Sequence, residues 1–252
     1  MSNEFTHFEK IDMHSHIGAV GEPFNINQDA EKMLEVMKEY NISKSLICSV
    51  SDDLNLTVKA AAEKYPQQLI PIARINCSKG KPAYDMLEHL IRNCGFKGGK
   101  IQSLFDGYAA DSSCVDPAAE ILEQYGLPFF VHSGHAPFSL PWQIGLLAER
   151  PPRLKICMLH MGHGNGIYVA AALEMARRYK NIWLETSGTS MTAQIENAYK
   201  TVDPQRIMFG LDLPFHAPSV EIQKTMACQL PDEAKADIFC NNAKKFMDSL
   251  LD

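Results

Sequence analysis

The chain has 252 residues, of which 46% are hydrophobic and 21% charged, as in an ordinary soluble globular protein. Its 24 basic and 30 acidic residues give a net charge of −6, which argues against nucleic acid or an anionic membrane as the main partner. No apolar stretch approaches ~18 residues, so we expect no membrane span. The seven cysteines form no Cys-x-x-Cys pair and no signal peptide is visible, so we expect reduced thiols in a cytoplasmic protein.

Short apolar runs alternate along the chain with longer amphipathic segments. The runs predict eight strands, at residues 10–14, 45–50, 69–75, 98–102, 128–132, 154–160, 182–186 and 206–211. Apolar residues three and four positions apart predict helices between them, among others at 30–40, 83–93 and 166–179. Residues 231–252 predict an extra helix that packs on the outside.

This alternation predicts the fold class. Eight strand-and-helix units in about 250 residues suit an α/β protein with a (β/α)8 TIM barrel, here a single domain over residues 1–252 with the extra C-terminal helix. A doubly wound open sheet is the alternative. That fold normally places a glycine-rich phosphate loop after its first strand, whereas this chain has His14-Ser15-His16 there.

Histidines and acids follow several of the predicted strands. Alternation along the first strand places His14 and His16 on one face, where two neutral imidazoles can bind one cation. His132, His160 and Asp212 each end a later apolar run, and Lys100 lies in the fourth. Catalytic groups of such barrels lie at the carboxyl ends of the strands. Burying these groups unpaired would be costly, and a metal ion would satisfy them.

Five motifs together resemble the amidohydrolase superfamily, and within it the amidohydrolase-related branch of aminocarboxymuconate-semialdehyde decarboxylase-like proteins. They are Asp12-x-His14-x-His16, Gly95-Phe96-Lys97-Gly98-Gly99-Lys100-Ile101, Val131-His132, Leu159-His160-Met161-Gly162 and Phe209-Gly210-Leu211-Asp212-Leu213-Pro214. The resemblance covers nearly the whole chain, and the motifs are specific only in combination.

The resemblance implies a metal centre. His14, His16, His132 and Asp212 would hold a divalent metal, with zinc expected and manganese as the alternative. His160 would contact the metal or polarise the reacting group. Lys100 stands where two-metal members carry a carboxylated lysine that bridges the ions, although this branch commonly has a lysine there with a single metal. A homodimer is a common assembly in the family.

The expected reaction is hydrolysis of a small amide, lactone or cyclic ester-like substrate. Zinc lowers the pKa of a bound water to roughly 7. Asp212 would take the proton of that water, and His160 would stabilise the negative charge on the substrate oxygen. The alternative is non-oxidative decarboxylation of an unsaturated or aromatic acid, which the compactness of the chain disfavours because such decarboxylases tend to carry large inserted loops. A non-catalytic metal-binding scaffold is a third reading.

Further residues are candidate contacts of a small-molecule substrate. Arg74 ends the third strand and could pair with a carboxylate, or could cap a nearby carbonyl. His135, His163 and His216 follow the predicted ligands in the loops. Five aromatic residues could form an apolar wall over the site or could be ordinary loop packing: Phe105, Tyr108, Phe138, Trp142 and Phe215.

Overall fold

The structure, a computed structural model, describes residues 4–22, 24–164 and 166–251. The strands are β1 (Lys10–His16), β2 (Gly18–Val20), β3 (Ile26–Gln28), β4 (Ile42–Cys48), β5 (Leu69–Pro71), β6 (Ala73–Ile75), β7 (Gly99–Ile101), β8 (Phe129–His132), β9 (Ile156–Leu159), β10 (Ile182–Glu185) and β11 (Ile207–Met208). The α-helices are α1 (Ala30–Glu39), α2 (Asn55–Lys64), α3 (Lys81–Cys94), α4 (Ser103–Asp106), α5 (Asp116–Gln124), α6 (Pro141–Glu149), α7 (Gly166–Arg178), α8 (Thr192–Thr201), α9 (Pro218–Ala227), α10 (Asp232–Ala236) and α11 (Asn242–Leu251).

The parallel strands form a closed barrel, which confirms the predicted (β/α)8 fold. The ladders run β1-β4-β5 and β6-β7-β8-β9-β10-β11. Strands β5 and β6 are two parts of one extended run that is interrupted at Ile72, whose N–H donates to Ile47 O at 2.9 Å. At the other seam, Met13 N–H donates to Phe209 O at 3.1 Å and Asp212 N–H donates to His14 O at 2.7 Å. The first and last barrel strands are therefore joined.

Several predicted boundaries differ from the structure. The first strand continues past residue 14, because Ser15 and His16 pair with Ile47 and Cys48 of β4. The predicted strand 206–211 keeps a regular ladder only in β11, and the residues after it join β1 by single hydrogen bonds. The antiparallel hairpin of β2 and β3 was not predicted.

The buried carboxylate of Asp12 joins three barrel segments. It accepts hydrogen bonds from His14 N–H at 3.1 Å, Leu211 N–H at 2.8 Å and the Ser45 hydroxyl at 2.5 Å. Burial raises the pKa of this carboxyl, and the hydrogen bonds oppose that rise. Asp12 thus fixes β1 between β4 and the end of the last strand, and it positions the histidines that follow it.

Apolar side chains fill the barrel interior, and the C-terminal helices close its amino-terminal end. Met13 and Phe130 belong to one buried cluster with Phe246 and Met247 of α11. A larger cluster lies between the strands and the surrounding helices. The predicted extra helix at 231–252 is thus present as α10, a π-helical turn at Asp237–Asn241 and α11, while Asp252 lies outside the described residues. All seven cysteines are free thiols.

Helix ends follow local chemistry. Asp29 accepts a hydrogen bond from Lys32 N–H and so caps the first turn of α1. Gly95 ends α3 in a left-handed conformation, which costs glycine little. Among the described residues, no helix combines the length and apolarity that crossing a bilayer requires.

Candidate metal centre

One cavity at the carboxyl ends of the barrel strands collects all the histidines, acids and bases that the sequence predicted for the site. Its volume is about 250 Å³. The predicted site residues that line it are His14, His16, Arg74, Lys100, His132, His135, His160, His163, Asp212 and His216. The barrel strands bring together residues that are up to about 200 positions apart in the chain.

His14 and His16 project from β1 toward Lys100 of β7. Lys100 Nζ lies 2.5 Å from His14 Nε2 and 3.2 Å from His16 Nε2. Both Nε2 atoms therefore face the same point of the cavity, where two imidazole nitrogens could bind one ion. Burial lowers the pKa of Lys100 at this point.

Two further imidazoles complete the floor of the cavity. The ring of His160 lies 4.7 Å from that of His132 and 5.2 Å from that of His14. Burial lowers the pKa of His14, His132 and His160 well below the usual value, and the charge of Lys100 adds to the effect. These rings are therefore neutral, which is the form that binds metal ions.

Asp212 reaches the histidines through an uncommon backbone conformation. Its φ is +53°, in the left-handed region that non-glycine residues seldom adopt. The carboxylate Oδ1 lies 3.2 Å from His16 Nε2 and 3.5 Å from His14 Nδ1. Such strain is commonly stored at functional sites.

The donor set fits a divalent metal. His14 Nδ1 is buried without a hydrogen-bond partner, although Asp212 and Glu185 carboxylates lie near it. Imidazoles with one carboxylate suit zinc, manganese and related ions. Two other groups have ligand atoms within 4.8 Å of one another, namely His14 with His16 and Cys48, and His14 with His160 and Glu185. The predicted set of His14, His16, His132 and Asp212 remains a prediction.

Cys48 contacts the predicted site, although its sequence position suggested only one of seven reduced thiols. Its Sγ lies 3.5 Å from His16 Nδ1, on the ring edge opposite Lys100. Burial raises the pKa of this thiol, but the charges of His16 and Lys100 outweigh burial and bring it to about 7. Its place at the end of a strand beside β1 was the available signal.

Glu185 is the second residue that sequence reasoning missed. It is fully buried at the end of β10, and it accepts hydrogen bonds from the backbone N–H groups of His160 and Ser187. Burial raises its pKa to about 7 against these hydrogen bonds. A Cβ at residue 210 would lie 2.3 Å from Glu185 Oε1, so Gly210 leaves the room that this carboxylate needs. The signal was the charged residue at the end of the predicted strand 182–186.

The three outer histidines surround the floor of the cavity. His135 Nδ1 lies 2.8 Å from His132 Nε2, and its ring is 4.6 Å from that of His163. His216 Nε2 is 3.8 Å from Asp212 Oδ2, and its Nδ1 is 3.2 Å from Glu221 Oε1. All three border the space that a substrate would enter, and their role in binding stays a prediction.

Arg74 lines the cavity, but its guanidinium is held by the protein. It forms two hydrogen bonds to Asp106, at 2.8 and 2.9 Å, and it also donates to Val50 O and Ile75 O. The alternative that Arg74 caps nearby carbonyls is therefore seen in the structure. A substrate carboxylate would have to compete with Asp106 for this side chain.

Aromatic rings form the rim of the cavity. Phe24, between β2 and β3, lies 5.4 Å from Phe215 and 6.4 Å from Phe105. Phe215 also contacts the ring of His16 at 5.3 Å. Of the aromatic wall expected from the sequence, Phe105 and Phe215 line the cavity, whereas Tyr108, Phe138 and Trp142 do not.

Comparisons with known proteins support the family resemblance. The family model described as Amidohydrolase matches residues 11–248. The decarboxylase orsB of Emericella nidulans is 22% identical in a match that covers 73% of this chain and 73% of orsB.

Solved structures agree as well. 5-Carboxyvanillate decarboxylase from Novosphingobium aromaticivorans, complexed with manganese, has a TM-score of 0.76 at 16% identity and covers 96% of this chain and 97% of its own. 2,6-Dihydroxybenzoate decarboxylase from Rhizobium has a TM-score of 0.75 at 16% identity, with 96% and 99% covered.

These findings correct the expected reaction. Hydrolysis was wrong as the primary expectation, because the relative and the two solved structures named above are decarboxylases, which was the alternative. The preference for zinc also lacks support, since the solved neighbour holds manganese, although a divalent metal is supported. The resemblance itself is confirmed. Because the family model matches nearly the whole chain, this protein belongs to the amidohydrolase family.

Proposed function

We propose that this protein is a metal-dependent, non-oxidative decarboxylase of a small aromatic or unsaturated carboxylic acid. The observation that carries the proposal is the division of the cavity into a floor of metal-binding side chains and a rim of Phe24, Phe105 and Phe215. A flat apolar ring could pack against the rim while its carboxylate points to the floor. The decarboxylase activity of the relative orsB supports this choice.

The chain would divide the chemistry among few residues. His14, His16, His132 and Asp212 would hold the metal, which would orient the substrate carboxylate and offset its charge. Asp212 would deliver a proton to the substrate carbon that bears the carboxylate. The bond to the carboxyl carbon would then break, with its electrons returning to the substrate and CO₂ leaving. One proton is taken up for each CO₂ released.

Elemental analysis of protein purified without chelator would give the metal and its stoichiometry. We expect about one divalent ion per chain, with manganese the first metal to test because a solved neighbour holds it. Two ions per chain would instead assign a bridging role to carboxylated Lys100.

Release of CO₂ is the test of the reaction. The manganese-loaded and zinc-loaded proteins would be assayed with a panel of hydroxybenzoic and unsaturated acids, with the matching amides and lactones as a parallel panel. We expect CO₂ and the decarboxylated product from at least one acid. Saturable binding of the acids to the loaded protein without any CO₂ release would overturn the proposal.

A further inference from the structure

We propose that Glu185 and Ser187 position His160 through a hydrogen-bond relay that keeps its ring proton on Nδ1 and presents Nε2 to the cavity as an acceptor. The catalytic consequence rests on the proposed decarboxylase function, whereas the relay itself can be measured without any substrate. Neither Glu185 nor Ser187 belongs to the predicted metal ligands.

The direction of each hydrogen bond follows from its partners. His160 Nδ1 lies 3.3 Å from Ser187 O and 2.9 Å from Ser187 Oγ. A carbonyl oxygen can only accept, so Nδ1 must carry the proton. The Ser187 hydroxyl donates its single hydrogen to Glu185 Oε2 at 2.8 Å, and its oxygen is therefore left to accept from Nδ1.

The carboxylate of Glu185 is itself held in place by further hydrogen bonds. Its Oε2 also accepts from His160 N–H at 3.1 Å, and Ser187 N–H donates to Oε1. Thr189 holds the same turn from the other side, because its hydroxyl donates to His160 O at 2.7 Å. The backbone of His160 has a φ of +65°, so these contacts stabilise a conformation that the residue would otherwise avoid.

The relay decides what His160 can do. The side chain of His160 lines the cavity, so Nε2, the ring nitrogen that the relay does not use, is the one that a ligand in the cavity can reach. A neutral imidazole with its proton on Nδ1 can accept a proton or bind a metal at Nε2, but it cannot donate there. The expected role of His160 as a donor to a negatively charged substrate oxygen therefore does not suit this tautomer.

Nitrogen-15 NMR of histidine-labelled protein would test the relay directly. The spectra would be recorded for metal-free and zinc-loaded protein, and His160→Gln would assign the His160 signals. We expect the wild-type His160 ring to be protonated on Nδ1. In the metal-free protein, Ser187→Ala and Glu185→Gln should both increase the fraction protonated on Nε2. Thr189→Val removes a buried hydroxyl bond to the backbone of His160, and it should leave the tautomer unchanged.

Kinetics would then show whether the tautomer matters. With an acid that the wild type decarboxylates, we expect Ser187→Ala to lower kcat about 10- to 100-fold with little change in KM. A wild-type ring protonated on Nε2, or unchanged tautomers in both variants, would overturn the relay. If no acid is decarboxylated, the proposed function fails while the NMR result still decides the relay.

Discussion

Two buried lysines lie toward opposite ends of the barrel, and their partners differ in kind. Lys10, at the start of β1, donates to the carbonyl oxygens of Phe5, Phe8 and Tyr40 at 2.6, 2.7 and 3.0 Å. Lys100 has the ring nitrogens of two histidines instead. Both side chains are 1% exposed. Burial of a charge does not by itself mark a functional site, because carbonyl partners complete a fold whereas imidazole partners can also bind a metal.

The largest expected effect is a loss of activity from a substitution at the cavity end of the barrel, compared with a substitution at the opposite end. Asp212→Asn should lower CO₂ release by at least about 100-fold, because the amide that replaces the carboxylate cannot deliver a proton. Cys240→Ala, in the C-terminal segment at the opposite end, should leave kcat unchanged even if stability falls. Initial rates and metal content of both variants are the measurements. Full activity of Asp212→Asn with metal bound would remove Asp212 from the mechanism.

Acid should destabilise the metal-free protein through the groups at the cavity. Burial lowers the pKa of five histidines: His14, His132, His135, His160 and His163. Below pH 6.5 the unfolded chain binds protons that the folded state does not, so stability falls as the pH decreases. Four groups oppose this fall, because their pKa values are raised in the folded protein: Asp12 and Glu185 through burial, and His16 and His216 through neighbouring groups that outweigh burial.

The five histidines with lowered pKa values outnumber the four groups that oppose them, so a net loss is expected between pH 6.5 and 5. It should be about 1.4 kcal/mol per pH unit, which is the contribution of one fully coupled group. Urea unfolding at pH 7, 6 and 5 would measure it. Burial brings the pKa of Lys10 to about 8, so this lysine stays protonated in this range. A flat or rising free energy of unfolding on acidification would contradict the expectation.

Methionine at each buried lysine would test the comparison itself. Lys10→Met should lower the free energy of unfolding by about 1–3 kcal/mol, because three carbonyl groups lose their donor. Its metal content and kcat should stay near those of the wild type. Lys100→Met should cost less stability, because the histidines can still bind the metal. It should lower kcat, because Lys100 lines the cavity. Urea unfolding and initial rates measure both, and the reverse pattern would break the comparison.

The smallest expected effect concerns the rim. Phe24→Ala should raise KM about two- to fivefold, equivalent to about 0.5–1 kcal/mol of lost aromatic contact, with kcat unchanged. Trp142→Ala is the matched control, because Trp142 is also a partly exposed aromatic residue but does not line the cavity. Equal KM values for the two variants would show that Phe24 at the rim does not contribute to substrate binding.

Local pattern was sufficient to predict most of the fold. Runs of apolar residues located the barrel strands, and the rule that active groups follow the strands brought His132, His160 and Asp212 to one cavity. The hairpin of β2 and β3 escaped because it contains only two three-residue strands. The interruption at Ile72 was not predicted, because it depends on the hydrogen bond from Ile72 N–H to Ile47 O, which the apolar run does not indicate.

The chemistry of the site was harder to predict, for two reasons. The ion pair of Arg74 with Asp106 joins residues 32 positions apart, so the local sequence around either residue does not predict the contact. The relay from Glu185 to His160 depends on side-chain direction, which residue type does not give. The reaction class was missed because hydrolysis and decarboxylation draw on the same metal ligands, and the chain's compactness was a poor guide to choosing between them.

The contacts of Asp12 indicate when the predicted metal site can form during synthesis of the chain. Its carboxylate joins β1 to Leu211, 199 positions further along the chain. A ribosome adding about 5–20 residues per second needs roughly 10–40 s to pass from His14 to Asp212. Throughout that interval the nascent chain carries His14 and His16 without the Asp212 carboxylate that would complete their predicted site. Metal capture by the full predicted set would therefore be a late event of biosynthesis, and it would report that the last barrel strand has docked.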